Sequence, residues 1–387
     1  MFVLAVIRSA EGHRRIYNVL DFHAAGDGKT DDAKAFLATW NAACSDGGNE
    51  PVMAIPRGRA FLLSQVSFDG PCKSPIKIKL DGKIVAPKVI WTKKQGNLLT
   101  FFDVDHLTLD GNGEIDGQGA IWWDCYNKKS CCVHVIQLLG FARCNNLVVR
   151  RIHLKDSADK HMTLFQCSQS LVDNVSITAP ADSPNTDGIT VSSSNNTYIS
   201  NCSIQTGDDC VSVLSNTKNV TVTHSRCGPG HGISVGSLGK SETAMVEQIT
   251  VSNCSFFGTM TGVRIKSWQG GKGYAKGFIF ESLNMTEVQY PIVIDQFYCP
   301  QGNCPTKPGG VAISDAKFIN IQGTSTEQDA VKLMCSQSVH CEGIYLSNIH
   351  LSWMNHTSPT NAEILNAHGT TEGMLVPQYC SPTLSSY

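Results

Sequence analysis

Two adjacent carboxylates, Asp208 and Asp209, stand in Gly207-Asp208-Asp209-Cys210, within a stretch of small and β-branched residues. Neighbouring acids repel when both ionise, so one proton is held more tightly, which suits acid–base chemistry. An isolated Gly-Asp-Asp reads first as a surface turn, because Gly and Asp both favour turns. The flanking sequence changes that reading. Asp187-Gly188-Ile189-Thr190-Val191 returns as Asp209-Cys210-Val211-Ser212-Val213 and then as His231-Gly232-Ile233-Ser234-Val235, each copy 22 residues after the last. Thr261-Gly262-Val263-Arg264-Ile265 continues the pattern after a longer interval, and Lys160-His161-Met162-Thr163-Leu164 precedes it.

Each copy alternates as a strand does, so Ile189, Val211, Ile233 and Val263 share one face while Thr190, Ser212, Ser234 and Arg264 share the other. One strand phrase per 20 to 30 residues is the mark of a solenoid. No copy carries a convincing helix, so a parallel β-helix fits best. Its coils stack about 4.8 Å apart. Asp187, Asp209 and His231 then form a ladder, with Asp208 beside it and Arg264 and Lys266 on one face of a further coil. Three acids on neighbouring coils suit a general acid with one or two bases for glycosidic hydrolysis, in which one carboxyl stays protonated and the other two raise its proton affinity. Arg forks onto carboxylates and Lys offers a point charge, so the substrate expected is an acidic polysaccharide. A Ca²⁺ site built from the three aspartates is the alternative, and Arg264 and Lys266 oppose it.

The chain of 387 residues is 41% apolar with a net charge of −2. A solenoid grows coil by coil, so a single elongated domain over residues 13–387 is expected, and a monomer. The charge gives no footing for a nucleic acid or an anionic membrane, and no apolar run reaches the length of a membrane span. Sixteen cysteines, several in near pairs (Cys125 with Cys131 and Cys132, Cys299 with Cys304, Cys335 with Cys341), lack the spacing of a zinc site. They point to disulfides, hence to an oxidising compartment. Seven Asn-x-Ser/Thr sequons, at Asn174, Asn195, Asn201, Asn219, Asn253, Asn284 and Asn355, point the same way to secretion. Residues 1–12 read as the remnant of a signal peptide.

Thr30 to Cys44 reads as a helix with Ala33, Phe36, Leu37 and Trp40 on one face, the cap that a solenoid's apolar end needs. Trp122 and Trp123 fall in an expected loop, either packed or stacked on a sugar. A second strand phrase marks another sheet, with Asn174, Asn201, Asn253 and Asn348 each three residues before an apolar residue. Such residues tolerate left-handed turns. Beyond about residue 355 the repeat fades into a tail held by Cys380.

Asn185-Thr186-Asp187, Gly207-Asp208-Asp209, Gly230-His231-Gly232 and Arg264-Ile265-Lys266 resemble, in order and spacing, the four motifs of the polygalacturonases of glycoside hydrolase family 28, plant members above all. The resemblance runs from about residue 16 to the end. It implies a right-handed parallel β-helix that hydrolyses α-1,4-galacturonan with inversion, without metal or cofactor. Asp208 is then the general acid, Asp187 and Asp209 activate water, and His231 tunes the acids. Arg264 and Lys266 grip galacturonate carboxylates, Tyr298 touches the sugar and Asn185 shapes the subsite. Cys210 and Cys227 correspond to a disulfide behind the acids, and His161 is a core or a subsite residue. Ser157-Ala158-Asp159-Lys160-His161 departs from the family's Ser-Pro-x-aromatic-His, which bears on an outer subsite, and Phe22-His23-Ala24 replaces aromatic-Gly-Ala. The stretch from Arg264 to Gly271 resembles the endo-acting plant group. The partner expected is pectin or oligogalacturonide in the cell wall. Exo action, a weakly catalytic pectin-binding wall protein and a Ca²⁺-dependent pectate lyase are the rivals.

Overall fold

The computed structural model describes residues 14–90, 96–128, 136–305, 307–355, 357–378 and 384–386. Alternation along each repeat becomes coiling because every strand pairs in parallel with the equivalent strand of the next copy. The central strands are β1 (Met162–Phe165), β2 (Ile189–Ser192), β3 (Val211–Val213), β4 (Ile233–Leu238), β5 (Thr261–Trp268) and β6 (Tyr290–Tyr298). Their register aligns Ile189, Val211, Ile233, Val263 and Ile292 in one inward row, each no more than 1% exposed. Thr163, Thr190, Ser212, Ser234 and Arg264 form the outward row beside it. A residue 22 positions later in sequence is therefore one strand away in space.

These strands belong to a sheet of eleven, and a second sheet of 23 strands wraps the other sides of the parallel β-helix. The second sheet bends where a residue enters the left-handed region. Asn174, Asn201 and Asn253 separate consecutive strands there at φ of 53°, 54° and 53°, and Asn348 lies inside its strand at 50°. Asn tolerates this backbone, and its amide can bond the next coil, as Asn348 Nδ2 does in donating to Asn320 Oδ1 at 3.1 Å. The turn role expected of these residues holds.

The open N-terminal end is closed by helix α1 (Ala33–Cys44). Phe36 and Trp40 are fully buried, and Trp40 packs 5.3 Å from Phe68 and 5.7 Å from Phe101. Phe68, Phe101 and Phe141 continue as a stack at 5.0 and 5.3 Å, one ring per coil. Trp40 Nε1 donates to the Asp69 carbonyl at 3.1 Å, and a Cys44–Cys72 disulfide ties the helix end to the first coils. The helix starts three residues later than the sequence suggests, because Thr30 lies in the strand Asp27–Asp31. Leu37, expected on the buried face, is 41% exposed. It lies one residue from Phe36 and so about 100° round the helix.

Three further expectations are corrected. Trp122 and Trp123 lie on a short helix, α2 (Ala120–Asn127), with Trp122 buried and Trp123 Nε1 donating to the Ser157 carbonyl at 3.1 Å. Packing is their role. The repeat does not fade at residue 355: strands Asn361–Leu365 and Ala367–Val376 add another coil. Its apolar pattern is weak, and residues such as Glu372 and Met374 are exposed. Cys210 and Cys227 are buried thiols in hydrogen-bond contact and not a disulfide. Cys210 immediately precedes β3, and Cys227 lies in the strand Arg226–Cys227 of the other sheet. Cys299–Cys304 and Cys335–Cys341 are bonded as expected. Cys125 is disulfide-bonded, whereas Cys131, Cys132, Cys380 and residues 1–12 lie outside the described residues. No helix among the described residues is long and apolar enough to cross a membrane.

The Phe stack predicts a local cost. Phe101→Ala leaves a cavity between two rings, and urea unfolding should show a loss of about 3–5 kcal/mol. A midpoint unchanged from the parent would show that the stack contributes nothing.

Candidate active site

The loops that enter β2, β3 and β4 place Asp187, Asp208, Asp209 and His231 on the outer face of the eleven-stranded sheet. Close stacking fixes them there. Gly207 approaches the coil beneath so tightly that a Cβ would stand 2.0 Å from the Ser183 carbonyl oxygen, so only glycine lets the acidic pair descend onto the preceding coil.

Each carboxylate has its own set of partners. Asp187 Oδ2 accepts from Ser212 Oγ at 2.8 Å, Thr190 Oγ1 at 3.3 Å and Lys160 Nζ at 3.1 Å. Asp209 Oδ1 accepts from Ser234 Oγ at 2.7 Å and Arg264 Nη2 at 3.0 Å, while its Oδ2 accepts from Lys266 Nζ at 2.9 Å. Asp208 Oδ1 meets His231 Nδ1 at 3.0 Å and accepts the Asp209 N–H at 2.8 Å. The hydroxyls come from the outward row of the strand ladder, so the repeat supplies the donors as well as the acids.

The three acids differ in depth. The side chains of Asp187 and Asp209 are 9% and 4% exposed, and that of Asp208 is 23% exposed. Burial, with the charges of Asp209 and Asp208 added and Lys160 opposing, pushes the Asp187 carboxyl up to about 6. At Asp208 burial acts in the same direction, but His231 and Lys266 outweigh it and hold the carboxyl at about 2. At Asp209 burial is outweighed by Lys266 and Arg264, and the carboxyl is lowered. The expectation that Asp208 is the acid raised by its neighbours is therefore not met in the substrate-free site. Of the three, Asp187 holds a proton most readily, because His231 and Lys266 favour the Asp208 anion and Lys266 and Arg264 favour the Asp209 anion.

Arg264 and Lys266, read from sequence as substrate grips, are turned onto Asp209, with side chains 9% and 7% exposed. Arg264 Nε also donates to Ser234 Oγ at 3.1 Å. The guanidinium has five N–H donors, so some stay free for a ligand. Tyr298 stands on the rim, its ring 5.3 Å from Lys266 Nζ and 5.3 Å from the Trp268 ring. Asn185 is exposed just ahead of Asp187, with φ of 57°. His161 is a core residue: it is fully buried, its Nε2 accepts the Ser157 N–H at 3.2 Å, and its Nδ1 donates to the Asp187 carbonyl at 3.1 Å. Burial lowers it to about 4. It props the backbone of Asp187 as a neutral imidazole.

Lys160 is the member that sequence reasoning missed as a partner of the acids. It occupies the first position of the strand phrase, one coil before Asp187, and that register was the available signal. On its other side a groove of about 350 Å³ runs over β1 and β2, lined by Asn97, Gln137, Thr163, Phe165 and Thr190 among others. A larger groove on the other sheet, about 610 Å³, is lined mostly by amides, with Ser282, His350 and Met374, and holds no carboxylate. Asp208, Asp209 and His231 lie close enough to share an ion, but both oxygens of Asp209 already face cationic nitrogens, which opposes a metal there.

Residues 44–373 match the model of glycosyl hydrolases family 28. The chain belongs to that family. The curated relatives include Polygalacturonase QRT2 of Arabidopsis thaliana, 40% identical over 94% of this chain and 84% of that protein. A Polygalacturonase of Persea americana is 42% identical over 86% of this chain and 73% of that one. Among solved structures, endo-xylogalacturonan hydrolase from Aspergillus tubingensis superposes with a TM-score of 0.78 at 22% identity, covering 96% of this chain and 98% of that one, which shows a shared fold. As a family 28 glycoside hydrolase, the protein carries its acids on the sheet the motifs indicate.

The Lys160–Asp187 pair generates a prediction. Asp187 faces Lys160, Asp208, Asp209, Ser212 and Thr190. Lys160 alone holds the proton off Asp187 by direct charge contact. In Lys160→Met the carboxyl ¹³C resonance of Asp187 should titrate above about 6, by roughly 1–3 pH units for the loss of a contacting opposite charge. An unmoved titration would show that the contact carries no charge coupling.

Proposed function

We propose that this enzyme hydrolyses α-1,4-galacturonosyl linkages of de-esterified pectin with inversion, cutting within the chain. The observation that carries the reading is one partly exposed acid flanked by two buried ones, with cations on both sides along the coil axis. Asp208 is the acid open to the groove, so it is the one a glycosidic oxygen can reach, and it serves as general acid. A bound uronate brings a further negative charge beside Asp208 and raises its proton affinity, which draws the shared proton from Asp187. Asp187, then anionic against Lys160, activates water together with Asp209. Lys266 and Arg264 hold Asp209 ionised, and their remaining donors take a galacturonate carboxylate. Tyr298 and Asn185 border the sugar on either side.

Internal cleavage is favoured by the groove that continues past Lys160, which leaves room for further sugars on that side of the acids. The disulfides and the seven sequons suit an extracellular, cell-wall site of action, as do relatives named as polygalacturonases. The rivals are weaker for physical reasons. A pectin-binding protein without turnover has no need of an acid triad, and a Ca²⁺-dependent lyase needs a cation where Arg264 and Lys266 already stand.

Two measurements test the reading. Asp208→Asn should lower turnover by roughly 10²–10⁴, the contribution of a general acid, while binding oligogalacturonate as the parent does. A variant that hydrolyses at the parent rate contradicts the assignment. Following reducing ends and chain length together in polygalacturonate with chelator present should show chain length collapsing after few cleavages. Monomer appearing while long chains persist would make the enzyme exo-acting.

A further inference from the structure

A second cluster of ligating side chains lies on the other sheet, away from the acids. His340, Glu342 and His368 bring one nitrogen or oxygen each within 4.8 Å of one another. The strand ladder explains why. In β7 (Cys341–Trp353) and β8 (Ala367–Val376), Cys341 pairs with Ala367 and both are buried, so the residues next to them, Glu342 and His368, point outward side by side. His340 precedes Cys341, and residues two apart on a strand share a face, which puts it on the same side as Glu342. The disulfide Cys335–Cys341 closes the loop that carries His340. His340 Nδ1 and His368 Nε2 face each other at 2.9 Å, with ring centroids 4.8 Å apart. One proton between two imidazole nitrogens is the arrangement that an ion can replace.

We propose that His340, Glu342 and His368 form a surface site for a divalent transition ion of the zinc class. Two imidazoles and one carboxylate are borderline-soft N and O donors, which select zinc over calcium or magnesium. Zinc holds nitrogens at about 2.0–2.1 Å, which in a tetrahedron sets them about 3.3 Å apart, so the two rings part by only a few tenths of an ångström to admit it. Three protein ligands leave a fourth position to water. His340 and Glu342 are exposed, so the ion enters without unfolding the coil. Because the ligands come from two successive coils, the ion joins β7 to β8 and steadies the C-terminal end of the solenoid. It binds the native state alone, so occupancy raises the thermal midpoint. Hydrolysis at the acids does not depend on it.

The test is calorimetric titration of tag-free, disulfide-intact protein with zinc chloride, alongside thermal melts with zinc and with calcium. One zinc ion per chain should bind, with a higher melting temperature that calcium does not reproduce. His368→Ala should lose the binding and the thermal gain while melting like the parent without metal. Glu342→Gln should bind at least roughly tenfold more weakly, in the range seen when a metal site loses a supporting group. If His368→Ala is itself unstable, His340→Gln takes its place with the same expected loss. Absence of saturable binding overturns the proposal. So does zinc binding that survives both histidine variants and inhibits hydrolysis, which would place the ion at Asp208, Asp209 and His231.

Discussion

In-register parallel pairing is the constraint on which the rest of the molecule depends. Ile189 over Val211 over Ile233 is an apolar row that cannot slip by one residue without turning every buried methyl to water. Fixing that row fixes the outward one as well. Thr190, Ser212, Ser234 and Arg264 then stand beneath the loops that bear the acids, and Asp187 and Asp209 each find a hydroxyl one coil along. The core and the site are two faces of one register.

Charged partners sort three chemically identical acids into different states. Asp187 and Asp209 are both buried, yet Asp209 has two cations and Asp187 has one, so Asp209 stays an anion while Asp187 holds a proton more readily. Asp208 is the most exposed of the three, and its contact with His231 holds its carboxyl low. The cations limit how many protons the site accepts, and they also make it hostile to a bridging metal.

Much of this was legible because a repeat converts sequence distance into spatial distance. The 22-residue interval indicated the ladder, the buried row and the outward row, and the second strand phrase indicated the left-handed turns at Asn174, Asn201 and Asn253. What the interval could not give was direction at the tips of side chains. His231 follows Asp209 in the ladder but bonds Asp208, since the neighbouring acid points to the open side. Lys160 sits in a copy of the phrase that bears no acid, so its contact with Asp187 shows only once the coils are stacked. Non-repeating parts were read less well. The two tryptophans of α2 lie outside the repeat, and the last coil is too polar to announce itself.

The most direct test of the central claim, that water is activated on the face opposite the acid, is the anomeric form of the first product. Proton NMR of a fast digest of polygalacturonate should show the new reducing ends as β-galacturonate first, with the α form growing only by mutarotation. Reducing ends that appear as the α form from the outset would mean a covalent intermediate on one of the carboxylates. They would contradict the division of labour among Asp208, Asp187 and Asp209.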